Sequence, residues 1–95
     1  MNQIIFTTTD KTGRTIRLTK ERWNEHIRPE HPDIHDHDEI KQTLLNPDTI
    51  IQRSEKKLNY YKFFKHNKLK YLKVIVKLLN GEGFVLTAYF VSNIK

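Results

Sequence analysis

Ninety-five residues suit one domain with one modest core and are too few for two. The absence of cysteine excludes disulfides and thiolate metal sites together, so packing alone must hold the fold, which suits a reducing cytosol. A formal net charge of +6 points toward a polyanion bound by counterion release, while one Trp, four Tyr and five Phe within a 37% apolar chain argue against disorder.

Taken in order, Ile4-Ile5-Phe6 and the threonines after them read as a strand. The start Met1-Asn2-Gln3 lacks the basic region of a signal peptide, so a cytoplasmic protein is expected. Asp10 to Gly13 is a turn, and Thr15 to Leu18 alternates as the returning strand of a short hairpin. Thr19 is an N-cap, and a helix is expected from Lys20 to about Arg28, with Trp23 and Ile27 on one face and His26 beside them. Pro29 should end it, because a residue before proline avoids the α region. Acidic residues near Asp36 to Glu39 suit the start of a second helix with Ile40 and Leu44 as its stripe, stopped by Asn46-Pro47-Asp48.

The pattern then turns to strands: 49–54, 59–65, 69–79 and 84–91, separated by polar turns. No run is apolar enough to span a bilayer, since Lys73 and Lys77 interrupt the best one. The expectation is a single α+β domain over 1–95. A short N-terminal hairpin and two helices would pack on one face of a four-stranded antiparallel sheet.

Alternation gives that sheet two faces. Leu72, Val74, Val76 and Leu78 form an aliphatic core set; Phe84, Leu86, Ala88 and Phe90 form its partner. A two- or four-residue loop between the last strands would mix the sets. A three-residue loop, Asn80-Gly81-Glu82, keeps them together and is preferred. The open face then carries Lys73, Lys77, Thr87 and Tyr89, joined by Lys62 or Tyr61 according to register, and by Arg53 or Ser54. The charge is uneven: five carboxylates and no Lys or Arg lie in 30–39, whereas 53–77 is rich in lysine. Cations interleaved with tyrosines suit single-stranded nucleic acid, although an ordinary half-exposed sheet has the same residues.

Several segments in order, Arg22-Trp23-Asn24-Glu25-His26-Ile27, Pro29-Glu30-His31-Pro32, Leu44-Leu45-Asn46-Pro47-Asp48-Thr49-Ile50, Tyr60-Tyr61, Tyr71 to Lys77 and Val85 to Tyr89, resemble the phage barnase-like branch of the BECR nucleases (barnase, EndoU, colicin-type and RelE-like). The resemblance implies a barnase/RelE-like fold and a metal-independent ribonuclease, often a toxin or phage-associated effector. Cleavage through the 2′-hydroxyl needs a base, an acid and charge stabilisation, which histidine and cationic or hydroxyl groups supply. The resemblance makes His26 and His31 the acid/base pair and Thr87 a phosphate-binding hydroxyl. Tyr61 would orient the phosphate or stack on a base. Arg53, Lys62, Lys73, Lys77 and Tyr89 would bind RNA or phosphate. The implied partners are RNA and an acidic antitoxin or immunity protein, with no cofactor. Each residue has a plainer reading: His26 as part of the Trp23 stripe, His31 as a loop contact, Tyr61 as core, Thr87 as an ordinary strand residue, the cations as solvated. A non-catalytic RNA-binding or protein-interaction module on the same scaffold is the alternative. His31, His35 and His37 lie among carboxylates, but no established metal spacing is present, so no metal site is expected.

Overall fold

The computed structural model describes residues 3–94; Met1, Asn2 and Lys95 lie outside the described residues. In chain order the elements are β1 (Ile4–Thr9), β2 (Thr15–Thr19), a π-helical turn (Arg22–Ile27), α1 (His37–Leu45), β3 (Thr49–Ser54), β4 (Lys57–Phe63), β5 (Tyr71–Leu79) and β6 (Glu82–Val91). The strands form one mixed sheet in the order β1-β2-β6-β5-β4-β3.

This corrects the expected four-stranded sheet. The N-terminal hairpin does not stand apart; β2 pairs in parallel with β6 through Ile16–Gly83 and Arg17–Phe84. Joining the sheet buries Ile16 and Leu18 completely, which an isolated hairpin could not do. Gly83 is needed there: a Cβ at that position would fall on Ile16 Cδ1 and lie 2.9 Å from Val76 Cγ1. Arg17 and Glu82 form an ion pair beside the junction, which lowers the Glu82 carboxyl and raises the Arg17 guanidinium from their usual values through hydrogen bonding and charge.

The second correction concerns the helices: among the described residues there is one α-helix, not two. Thr19 caps the first segment as expected, accepting from Arg22 N at 3.2 Å. The chain then widens, with Arg28 N bonded to Trp23 O at 2.9 Å, five residues back. Pro29 does not stop the turn. Arg28 stays in the α region, and His31 N bonds Ile27 O at 2.8 Å. Within a regular helix the Pro29 ring would press on the carbonyl four residues earlier; a wider turn relieves that contact. Proline thus carries the chain one turn further, as far as His31. In α1, Asp36 is the cap, accepting from Asp38 N at 3.1 Å, and Ile40 and Leu44 are buried against the sheet.

The third correction is register. The β5–β6 turn has two residues, Asn80 and Gly81, both at positive φ, with Leu79 opposite Glu82. Val76 therefore faces Val85. A bulge at Leu86 restores the expected pairs Ile75–Thr87, Val74–Ala88 and Lys73–Tyr89. The core set on β6 is consequently Val85, Ala88 and Phe90, not Phe84 and Leu86.

The core lies between α1 and the sheet, from Ile16 and Leu18 through Val74 and Val76 to Leu58. One polar pair is embedded in it. The Tyr60 hydroxyl donates to Asp10 Oδ2, while Asp10 Oδ1 accepts from Thr12 N, Thr12 Oγ1 and Arg14 N. Burial raises the Asp10 carboxyl, but these hydrogen bonds outweigh it and hold the group below its usual value. Burial and the Asp10 contact drive the Tyr60 phenol far upward. The pair fastens the β1–β2 turn to β4.

Candidate active site

On the face opposite α1, Tyr61, Lys73 and Tyr89 are consecutive cross-strand partners on β4, β5 and β6. Cross-strand partners leave a sheet on the same side, so the three side chains form a row. Lys73 Nζ lies 5.4 Å from the Tyr89 ring centroid and 5.9 Å from that of Tyr61. The ammonium is thus held between two π faces, within the range of cation–π attraction.

His31 extends this row. Its imidazole stacks on Tyr89 with centroids 5.4 Å apart and planes at 30°. The π-helical turn packs against β6, and its continuation past Pro29 delivers His31 to the ring. His26 sits on the turn itself and is exposed, while Trp23 and Ile27 are its buried residues. The structure therefore joins one of the two expected histidines to the sheet row.

Thr87 is half-buried opposite Ile75, one step along β6 from Tyr89 on the same face. Tyr61 is only 1% exposed, so its ring has no free face for a base. It supports Lys73 instead. Ser92 and Asn93, past the end of β6, line a pocket with Tyr61, Lys73 and Val91. They add a hydroxyl and an amide that sequence reasoning missed. No periodicity marks them, and only the register of β6 brings them next to Tyr61.

The remaining cations divide. Lys77 is exposed on the open face at about 13 Å along β5 from Lys73, from four residues at about 3.3 Å each. It stands directly opposite Lys57, also exposed and also missed. Like charges facing each other across a ladder repel, and an anion between them removes the penalty. Arg53 is exposed on the edge strand β3, between the pairs Gln52–Leu58 and Ser54–Lys57, at the Lys57 end and not beside Lys73. Lys62 pairs with buried Leu72 and so faces the helix side, where its Nζ donates to Asn46 O at 3.2 Å. That corrects its expected place among the open-face cations: it closes the C-terminal end of α1.

Imidazole, ammonium and hydroxyl groups on an open, basic sheet face can take and give protons and neutralise phosphate charge. No curated protein and no solved structure matches the chain. A family model described as phage-Barnase-EndoU-ColicinE5/D-RelE like nuclease2 does match, over residues 3–94. With nearly its whole length covered, the chain belongs to this PBECR2 family of nucleases.

Proposed function

We propose that the protein is an endoribonuclease that cleaves RNA without a metal, by attack of a 2′-hydroxyl on the adjacent phosphate. The observation that carries this reading is the contact of His31 with Tyr89 beside Lys73. Both groups contact one ring: His31 brings an imidazole, a side chain able to take and give a proton, and Lys73 brings a charge for the phosphorane. The row of His31, Tyr89, Lys73 and Tyr61 contains no carboxylate to hold Mg²⁺.

In this mechanism His31 takes the 2′-hydroxyl proton as the oxygen bonds to phosphorus. Lys73 and the Thr87 hydroxyl bind the non-bridging oxygens. His26, exposed five residues earlier, gives a proton to the departing 5′-oxygen. The products are a 2′,3′-cyclic phosphate and a 5′-hydroxyl. Lys57 and Lys77 hold a neighbouring phosphate along the strand. The same basic face suits an acidic inhibitor protein, as a toxin or phage effector would have.

The test is incubation of purified protein with RNA in EDTA, with products analysed for cyclic phosphate ends. Cleavage by wild type and not by His31→Ala supports the proposal. Salt-dependent binding with no cleavage selects the binding-module alternative.

A further inference from the structure

A second group of chemistry-bearing side chains lies on the other side of the sheet. His35 precedes α1, Glu39 is in its first turn, and His66 is in the β4–β5 loop. Their ligand atoms all lie within 4.8 Å of one another. His66 Nε2 contacts Glu39 Oε2, and the His35 and His66 rings stack at 5.0 Å and 22°. The His66 ring also meets Phe64 and Phe90 edge-on, at 5.7 and 5.8 Å. Phe90 belongs to the core side of β6, opposite to Tyr89, so this cluster is separate from the His31 row.

We propose that His35, Glu39 and His66 form a binding site for a divalent transition ion of the Zn²⁺ class. Two imidazoles and one carboxylate, with water in the fourth position, are a known tetrahedral donor set. Ligand atoms at 2.0–2.1 Å from a tetrahedral ion lie about 3.3 Å apart. The present set brackets that spacing, with one pair already in hydrogen-bond contact and no pair beyond 4.8 Å. Small side-chain rotations complete it.

The backbone is already arranged for the ion. Glu39 Oε1 accepts from His35 N at 3.0 Å, which fixes the carboxylate beside the loop. Asn67 Nδ2 donates to Asp33 Oδ2 at 3.2 Å, a second link between the same two segments. Binding replaces any proton shared by His66 and Glu39, and that proton goes to solvent. The ion would clip the β4–β5 loop to the start of α1 and has no part in cleavage. Of the three histidines among carboxylates in that stretch, His35 alone belongs to this set: His31 is on Tyr89, and His37 packs edge-on against Trp23 at 5.6 Å.

The experiment is titration of the tag-free full chain with ZnCl₂ and, separately, CoCl₂. Calorimetry and the visible cobalt spectrum are the readouts. One equivalent of each ion should bind, cobalt should give a tetrahedral absorption band, and zinc should raise Tm. His66→Ala and Glu39→Gln should each weaken binding by at least about tenfold, since even partners outside the ligand shell cost that much. His26→Ala should leave binding unchanged. Absence of binding in wild type, or binding that survives both ligand substitutions, overturns the site. Because the readouts need no RNA, failure here leaves the ribonuclease proposal untouched, and failure to cleave leaves this one untouched.

Discussion

The imidazole of His31 lies against the ring of Tyr89, joining a segment outside the sheet to the row that holds Lys73. If His31 is the base, His31→Ala should lower the cleavage rate by about 10²–10⁴-fold with Tm unchanged. His26→Ala should show a different signature. Its defect should shrink on a substrate whose 5′-oxygen is replaced by sulfur, a leaving group that needs no acid. The His31→Ala defect should persist on that substrate. Equal recovery of both variants would contradict the assignment.

Lys73 is held by two rings, so its charge is fixed in place and not free on the surface. Lys73→Ala should cost more in kcat than in KM, by about 10²–10³-fold, as for loss of a preorganised charge donor. Tyr61→Leu keeps the charge but removes one of its supports. It should produce a smaller loss of the same kind, read by steady-state kinetics on a short RNA.

Lys57 and Lys77 make a prediction with opposite signs. They face each other across β4 and β5, both exposed, with the same charge. Lys77→Thr should stabilise the free protein by about 0.2–1 kcal/mol, because repulsion is relieved. The same change should weaken RNA binding and reduce the salt slope by about one. Denaturant titration and binding at several salt concentrations measure the two effects. A variant that loses stability and keeps affinity would show that the pair is not an anion site.

The buried Tyr60–Asp10 pair predicts both stability and its pH dependence. Tyr60→Phe should cost about 1–3 kcal/mol, since it removes a donor from a buried carboxylate. The Asp10 carboxyl is depressed in the folded state, so its contribution is present above the unfolded value of about 3.9 and is lost as pH falls through the folded value. The stability gap between wild type and Asp10→Asn should therefore be widest near neutrality and narrow below about pH 4. Thermal melts across that range check it.

Gly83→Ala tests the parallel junction. The added methyl group meets Ile16 and Val76 side chains in the core. A cost of about 1–3 kcal/mol is expected from overpacking, seen as a lower denaturant midpoint.

Much of this architecture was legible in the chain. β3 has the bounds that alternation implies, Asp36 caps α1, and Leu72, Val74 and Val76 are the core set of β5. What alternation could not reveal is a change of phase. The bulge at Leu86 swaps the faces of β6 partway along, so a period-two reading that is right at Ala88 is wrong at Leu86. Parallel pairing of β2 with β6 leaves no local mark either, because its partners lie at opposite ends of the sequence. At the candidate site, Lys73, Thr87 and Tyr89 followed from parity. Ser92, Asn93 and Lys57 did not, since their places depend on neighbours across strands. Pro29 was read as a stop by a sound local rule, and the wider turn satisfied proline in another way.

The pairing of β2 with β6 also sets an order of events during synthesis. The hairpin leaves the ribosome early, but its partner is the last strand among the described residues. Tyr89 arrives with that strand, after His31, Tyr61 and Lys73. A nascent or prematurely ended chain therefore carries its histidines and most of its lysines with no row to place them in. The same strand that completes the face closes the sheet between β2 and β5.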